Sequence, residues 1–313
     1  MKKIQLLFVF LFIISLTKAQ DRVITTGVPF LLVAADARAA GMADMGVATS
    51  ADAFSQQWNP AKYAFAIDKQ GFSISYTPYL TDLVNDISLG QITYYNRINE
   101  KSAFAGTLRY FGLGEIELRE NAFDDPRIVS PNEFSFDGSY SLKLSEKFSM
   151  AVAGRYIRSN LKVAADNNDA SAANSFAVDV AGFFQSEEIA YSDFNGRWRA
   201  GFNIQNLGPK ISYDNSEFNS NFLPANLKIG TGFDFIFDDF NKIAVNVEFN
   251  KLLVPTPQIP VPVDLNNDGD TSDALENGIS QNNAAYNNIG WTTGISKSFN
   301  DAPNGFSEEI KEV

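Results

Sequence analysis

The sequence of 313 residues contains no cysteine and no histidine. The absence of cysteine excludes disulfide bonds, thiolate chemistry and a lipid anchor on an N-terminal cysteine. The absence of histidine excludes catalytic triads and dyads with an imidazole base, and every metal centre that needs a histidine ligand. We therefore predict that the protein is not an enzyme and that it holds no resident cofactor.

Motifs of nucleotide-binding proteins and of α/β-hydrolases are missing as well. The chain has no Walker loop and no G-x-S-x-G motif. The stretch Gly112-Leu113-Gly114 lacks the third glycine and the following helix that a dinucleotide site needs. The net charge of −12, from 25 Lys and Arg against 37 Asp and Glu, repels phosphate backbones and argues against a nucleic-acid partner.

Long apolar runs are scarce, and the longest lies at the N-terminus. Two lysines precede a mostly apolar run at residues 4–16, and Thr17-Lys18-Ala19 then offers a small-x-small cleavage site. A membrane anchor helix is the alternative, but the run is shorter than the roughly 20 residues that span a bilayer. Residues 1–19 are therefore predicted to be a signal peptide, which takes the protein out of the cytoplasm.

Alternation of apolar and polar residues dominates the rest of the sequence. In residues 134–144, for example, Phe, Tyr and Leu alternate with Ser, Asp and Lys. This period of two predicts strands with one apolar and one polar face. Ten such strands are predicted, at 71–79, 86–96, 102–112, 133–144, 148–158, 174–184, 196–206, 225–236, 242–252 and 288–298.

The length and the spacing of these strands favour a membrane β-barrel over a secreted, soluble all-β domain. Strands of soluble sandwiches average about five or six residues, whereas a strand that crosses a membrane needs about nine to eleven, as most of these have. Short polar links such as 97–101 alternate with long loops such as 113–132, which is the arrangement of outer-membrane barrels. Charged residues on the polar faces would line a hydrated interior or form a ligand path: Arg109, Arg155, Asp179, Arg197, Arg199 and Glu248.

Residues 20–70 differ in composition from the strand region. The stretches 34–43 and 51–58 are each compatible with a short helix, and Asn59-Pro60-Ala61 ends the second because a residue before proline is pushed out of helical geometry. One interpretation is a loose N-terminal arm. The other is a plug inside a barrel wider than eight strands, which divides the chain into a signal peptide, a plug at 20–70 and a barrel at 71–313.

Several motifs of this segment resemble the N-terminal hatch of FadL-type outer-membrane proteins. Among the relatives of that family, the chain looks most like the PorV shuttles of the type IX secretion system, through residues 26–31, 35–38 and 57–62. The resemblance implies an all-β, FadL-like transmembrane barrel of 14 strands in the cell outer membrane, with a short helical hatch. The motifs are Ala37-Arg38-Ala39-Ala40-Gly41-Met42, Gly46-Val47-Ala48, Asp52-Ala53 and Asn59-Pro60-Ala61.

The resemblance also implies a function and partners. Such shuttles bind exported proteins by their C-terminal signal domain at the translocon pore protein and pass them to an attachment complex at the cell surface. The partners are therefore the type IX translocon pore protein, secreted cargo and the attachment complex, with the lipid bilayer and lipopolysaccharide around the barrel. An alternative function is a FadL-type channel for hydrophobic small molecules. Lipid A modification is a third, but without histidine it would need an unusual base.

The C-terminus departs from the pattern of that family. About ten strands are visible where the resemblance implies 14, and residues 307–313 are charged and form no closing strand. An unpaired strand edge in lipid costs several kcal/mol for each backbone group. Either ten strands close by themselves, or the sequence lacks its last strands; we favour the second interpretation.

The segment 252–263 contains four prolines, which prevent a regular strand and favour a stiff, extended arm. We expect it to begin a long outer loop. Its apolar side chains are candidates for binding a protein partner, because a stiff arm loses little entropy on binding; alternatively, the arm packs on the barrel's own loops. The candidates are Leu253, Val254, Ile259 and Val261, with Ile211, Tyr213, Phe218, Phe222 and Leu223 as further anchors in loop 207–224.

Residues 264–270 match the start of a calcium-binding loop. Oxygen-bearing side chains stand at alternate positions, and Gly269 allows the sharp turn that such a loop needs. The twelfth position is Leu275 and not glutamate, and flanking helices are not evident, so an acidic surface loop is the alternative. The predicted Ca²⁺ ligands are Asp264, Asn266, Asp268 and Asp270.

The calcium loop leads to a testable prediction. The Asp268→Ala variant should lose the binding heat that the intact protein gives in isothermal titration with CaCl₂, because a carboxylate ligand is removed. The matched control is Asp273→Ala, which removes a nearby carboxylate from a position that supplies no predicted ligand. Equal heats from the intact protein and the Asp268→Ala variant would remove the site.

Overall fold

The computed structural model describes residues 24–82, 84, 86–119, 125–161, 172–213, 220–257, 261–262, 264, 269–270 and 283–301. The predicted signal peptide lies outside them. The chain divides into two compact units, one formed by residues 26–250 and the other by residues 1–25 with 251–313. The first unit contains nearly all of the β-sheet.

Antiparallel strands form most of the unit 26–250. Ten of the strands make one sheet in the order β1-β2-β3-β6-β7-β8-β10-β11-β12, with β9 beside β10, while β4 pairs with β5 apart from it. The strands are β1 (Gln70–Pro78), β2 (Ile87–Arg97), β3 (Ser102–Leu113), β4 (Ile116–Leu118), β5 (Arg127–Val129), β6 (Asn132–Ser145), β7 (Phe148–Asn160), β8 (Ala173–Gln185), β9 (Ile189–Ala190), β10 (Asn195–Leu207), β11 (Asn226–Ile236) and β12 (Lys242–Leu252).

Nine of the ten predicted strands are confirmed, with boundaries within two residues of those observed. Because successive long strands are neighbours in the sheet, the links fall alternately at its two ends. One end carries the links 98–101, 146–147, 186–194 and 237–241, and the other carries 79–86, 114–131, 161–172 and 208–225. Among the described residues no pairing joins β1 to β12, so closure into a barrel stays a prediction.

The N-terminal segment, defined as residues 26–66, contains only short helical turns. The helices predicted at 34–43 and 51–58 are confirmed in part, since each is a single turn. The turns are the 3-10 helix η1 (Pro29–Leu32), α1 (Ala37–Ala40), α2 (Ser55–Trp58) and the 3-10 helix η2 (Pro60–Phe65).

Local polar contacts fix the ends of these turns. The Asp36 carboxylate accepts a hydrogen bond from Ala39 N (2.7 Å) and so caps the start of α1. The Asp52 carboxylate accepts from Phe54 N (3.1 Å), which holds the residues before α2 in a non-helical turn. Asn59 has extended backbone angles (φ −163°, ψ 96°), so α2 ends before the proline, as predicted.

The tenth predicted strand, at 288–298, is wrong. The second unit is helical there, with α3 (Asn283–Asn287) and α4 (Trp291–Lys297). The apparent alternation depended on Trp291 and Ile295, whose four-residue spacing fits one face of a helix equally well. In the described part of the chain, no helix combines the length and the hydropathy that a membrane crossing demands.

The sheet buries polar side chains on one face and exposes apolar side chains on the other, which is the reverse of a sheet in a soluble protein. On one face, here called the polar face, side chains such as Asp137, Ser141 and Asn203 are buried. The other, the apolar face, exposes large hydrophobic side chains on every long strand, and monomeric soluble proteins rarely expose such a patch. Examples in chain order are Phe72, Ile92, Leu108, Phe136, Val152, Phe176, Trp198, Ile229 and Val247.

Candidate functional site

The N-terminal segment lies on the polar face of the sheet. Its helix η2 contacts β2, β3, β6, β7 and β8. Polar side chains of the segment, including Gln56, Asn59 and Lys62, are fully buried. Buried polar groups are almost always hydrogen-bonded, so the bonds between the segment and the sheet determine how the segment is held.

The motif Asn59-Pro60-Ala61 joins the segment to two neighbouring strands. Asn59 Nδ2 donates to Gly182 O in β8 (3.0 Å) and to Val47 O within the segment (2.9 Å). Asn59 Oδ1 accepts from Ala61 N (3.0 Å), and Ala61 O accepts from Ser149 Oγ in β7 (2.7 Å). The motif predicted to belong to a hatch therefore lies where the segment meets the polar face.

Arg109 of β3 holds the helix η1. Its buried guanidinium donates to the carbonyl oxygens of Phe30 (3.0 Å), Leu31 (3.0 Å) and Val33 (2.6 Å). The Phe30 ring also lies parallel to the ring of Phe111, with centroids 6.2 Å apart. Phe30 O also accepts from Val33 N (3.2 Å), and Val33 O also accepts from Gln57 Nε2 (2.9 Å), so Arg109 adds to the bonds of these carbonyls and is the donor to Leu31 O.

Polar side chains of β10 bind the backbone around α2. Asn203 Nδ2 donates to Trp58 O (2.8 Å), and Gln205 Nε2 donates to Gln57 O. Within the segment, Trp58 Nε1 donates to Asp36 Oδ2 (2.7 Å), so the carboxylate that caps α1 also fixes the tryptophan. The two short helices are thus joined to each other, and α2 is joined to β10.

Lys62 is fully buried and forms no ion pair within the part of the chain that the structure describes. Its Nζ donates to Gly46 O (2.8 Å) and to Thr49 Oγ1 (3.1 Å). Burial lowers the pKa of Lys62 to about 8, against the attraction of Asp52, which favours the charged form. The lysine therefore ties η2 to the turn at residues 46–49.

The backbone of that turn also binds a carboxylate of the sheet. Glu248 Oε2 in β12 accepts from Gly46 N and Val47 N, both at 2.9 Å. Its other oxygen lies 3.5 Å from Lys228 Nζ, and that amine lies 4.7 Å from the centre of the Trp58 ring. One carboxylate thus connects the segment to the last strand of the sheet.

Arg38 and Asp52 form an ion pair inside the segment. The Arg38 guanidinium also donates to Ser50 Oγ (2.8 Å). Burial by itself would raise the pKa of Asp52, but the positive charges of Lys62 and Arg38 outweigh it, and the pKa is lowered. The carboxylate therefore stays ionised and holds the two halves of the segment together.

A network of charges crosses the polar face beside the segment. Arg155 donates to Asp137 Oδ1 (2.6 Å) and to Asp179 Oδ2 (3.0 Å). Asn206, at an irregularity of β10 with a φ of +58°, accepts from Arg155 and donates its backbone N–H to Asp179 (2.7 Å). The predicted placement of Arg109, Arg155, Asp179, Arg199 and Glu248 on the polar face is confirmed. Arg197 is the least buried of the predicted group.

Loop 208–225 folds against the N-terminal segment. Gly27 N donates to Phe222 O (2.8 Å), and Ile211 and Leu223 are buried in one apolar cluster with Val28. The prediction that Ile211, Phe222 and Leu223 are accessible anchors is therefore wrong, because these side chains are buried near the apolar start of the segment. Tyr213 is partly buried, and Phe218 lies outside the described residues.

The remaining predicted sites lie in the second unit. Leu253 and Val254 are buried, Val261 is exposed and Ile259 lies outside the described residues. Among the described residues of the proline-rich arm, Val261 and Pro262 are thus the exposed ones.

The predicted calcium ligands are described only in part. Asn266 and Asp268 lie outside the described residues. Gly269 has a φ of +86° and donates its N–H to Asp264 Oδ2 (3.0 Å). The described residues hold no group of three or more potential metal-binding side chains, but they include only two of the four ligands, so the calcium site stays a prediction.

Comparison with known proteins assigns the chain to a family. Residues 16–259 match the family described as type IX secretion system protein PorV. The chain belongs to the PorV family. The match covers the N-terminal segment and all nine long strands, so the predicted resemblance to the PorV family is confirmed. No curated protein gives a significant match. PorV membership makes this chain an outer-membrane component of type IX secretion.

Sequence reasoning missed Asn203 and Gln205, which bind the backbone around α2. Trp58 and Lys62 lie in the stretch 57–62 that carries the PorV resemblance, but their contacts were not predicted. Glu248 lies about 200 residues after Gly46 and Val47 in the sequence, so only the folded structure reveals that its carboxylate binds their backbone.

The bonds to η1 make a testable prediction. Arg109→Met should loosen η1, because hydrogen bonds to a charged donor contribute roughly 1.5–3 kcal/mol each. We expect backbone amides of residues 28–35 to exchange with D₂O at least tenfold faster, while amides of β7 keep their rates. Arg158→Met, at an exposed arginine of β7, is the matched control. Unchanged exchange at 28–35 in the Arg109→Met variant would show that this arginine does not hold the segment.

Proposed function

We propose that this protein binds exported proteins through their C-terminal signal domain at the type IX translocon pore protein and shuttles them to the attachment complex at the cell surface. In this proposal the sheet belongs to a FadL-like outer-membrane barrel of 14 strands. Family membership supports the role in type IX secretion. The exposed apolar face of the sheet is the observation that supports the membrane position.

The exposed face suits lipid in both its composition and its dimensions. Every long strand presents large apolar side chains outward, and these strands have nine to fourteen residues. About nine to eleven residues of a tilted strand cross a bilayer. In water the same face would be an extensive apolar patch, which favours aggregation. Placed in lipid, the apolar side chains are solvated and the polar face is left inside.

The N-terminal segment would then be the hatch of the barrel, with residues 20–70 as hatch and residues from 71 onward as barrel. Its bonds to Asn203, Arg109 and Glu248 reach three separate strands. Displacing it would leave many buried polar groups without partners, at roughly 1–3 kcal/mol for each group. We therefore assign cargo binding to surfaces outside the hatch, since the hatch is held in place.

The alternative, a FadL-type channel for hydrophobic small molecules, receives less support. An apolar ligand needs a path lined mainly by apolar side chains. The polar face instead carries buried charged and amide groups, among them Arg155, Asp137 and Asn203, and the hatch is bonded to it. Charged groups along such a path would lose their hydration to an apolar ligand without gaining a hydrogen bond.

The membrane position can be tested on the apolar face. Val178→Lys, near the middle of β8, should destabilise the folded protein in phospholipid vesicles by about 2–4 kcal/mol, because a lysine at the bilayer midplane is poorly solvated. Ile128→Lys, at an exposed side chain of the β4–β5 hairpin, is the control and should cost about 0–1 kcal/mol. Urea titration in vesicles, read by heat-resistant electrophoretic mobility, measures both. Equal stabilities of the two variants would contradict the membrane position.

Cargo binding can be tested at the proline-rich arm. Deleting residues 255–263 removes the exposed Val261 and none of the long strands, so insertion and heat-resistant mobility should persist. Co-purification of cargo that carries a C-terminal signal domain, and of the translocon pore protein, should fall several-fold. A deletion of equal length at 162–170, between β7 and β8, is the matched control. Undiminished recovery from the 255–263 deletion would rule out the arm as a docking site.

A further inference from the structure

A groove opens at the end of the sheet that carries the short links. It lies between the link 186–194, which joins β8 to β10, and the hairpin turn 237–241, which joins β11 to β12. Its volume is about 630 Å³. The space is large enough to take several side chains of another molecule, and no residue of the N-terminal segment lines it.

One wall of the groove is an ordered link. It contains β9, which pairs with β10, and Tyr191 N donates to Phe194 O (2.9 Å). The rings of Tyr191 and Phe194 are stacked with centroids 4.9 Å apart, and Glu188 forms an ion pair with Arg197. A wall fixed in this way loses little conformational entropy when a partner binds.

The opposite wall is a turn that presents an aromatic side chain to solvent. The Asp238 carboxylate accepts from Phe240 N (2.8 Å), from Asn241 N (2.7 Å) and from Asn241 Nδ2 (2.8 Å). These bonds lower the pKa of Asp238 and hold the turn in one conformation. Phe240, at the tip of this turn, is 94% exposed. An aromatic side chain held in water by a rigid turn is well placed to serve as an anchor for a partner.

The charged side chains around the groove indicate which sign of charge a partner carries. Four carboxylates and two cationic side chains line it, so its net charge is −2. Arg197 is paired with Glu188, which leaves three carboxylates against one amine. Such a lining favours a cationic partner and disfavours the phosphates of a lipid surface. The acidic residues are Glu188, Asp193, Asp238 and Asp239, and the basic ones are Arg197 and Lys242.

We propose that this groove docks an extended segment of a partner protein in which a lysine or arginine stands next to an aromatic or aliphatic side chain. The apolar side chain packs against Phe240 and Tyr191, and the cation lies near Asp193 and Asp239. An arginine there also gains from lying over an aromatic ring. This docking site is independent of the arm at 255–263 and of the assignment of cargo binding.

A peptide selection on the full chain in lipid nanodiscs tests the proposal. A display library of random twelve-residue peptides is enriched on the native protein, and the selected peptides are then titrated against variants. We expect enriched sequences with Lys or Arg beside an aromatic or aliphatic residue. Their affinity should fall tenfold or more for Phe240→Ala and for Asp239→Lys. Ile98→Ala, at an exposed side chain of a turn at the same end of the sheet, is the matched control and should change nothing.

Three outcomes would overturn the inference. The first is a selection without preference for basic residues, and the second is equal affinity for the native protein and both groove variants. The third is binding of vesicles rich in anionic phospholipid that depends on Phe240, since that would make the groove a lipid site. Heat-resistant mobility of each variant confirms folding, and Asp193→Lys repeats the charge reversal should Asp239→Lys fail to insert.

Discussion

The buried polar face of the sheet imposes the constraint on which the rest of the structure depends. Each long strand from β1 to β11 buries Ser, Thr, Asn, Asp or Arg side chains there, and an unpaired polar group in such a place costs roughly 1–3 kcal/mol. The N-terminal segment satisfies many of them with its own backbone. Arg109 donates hydrogen bonds to carbonyls of η1, and Asn203 donates to a carbonyl of α2. Glu248 accepts hydrogen bonds from the backbone amides of a turn. Sheet and segment therefore stabilise each other.

The same alternation that buries polar groups exposes apolar ones. Because successive residues of a strand point to opposite faces, a polar face directed inward leaves Phe, Ile, Val and Tyr side chains outward on all nine long strands. This distribution is the reverse of a soluble sheet and agrees with an outer-membrane component of type IX secretion. The exposed apolar face and the buried polar face are thus two consequences of one sequence pattern.

The links between strands differ in whether their apolar side chains are buried or exposed. The described parts of loop 208–225 pack against the start of the N-terminal segment, where Ile211 and Leu223 are buried. At the opposite end, the links 186–194 and 237–241 are ordered but leave Phe240 in solvent. The length of a loop is therefore a poor guide to where partners bind, since the apolar side chains of a long loop can be buried within its own unit.

The sequence by itself determined the strands, their faces and the family. Period-two alternation and the Asn59-Pro60-Ala61 motif are local features, which can be recognised from consecutive residues alone. Nine strands were predicted to within two residues, while the segment at 288–298 was wrongly predicted as a strand, since the four-residue spacing of Trp291 and Ile295 fits a helix as well. Only the tertiary structure decided which groups meet. The bonds from Glu248 to the 46–47 backbone and from Asn59 to Gly182 join residues far apart in the chain. No local pattern encodes such pairs, because they exist only after the sheet has brought its polar face against the segment.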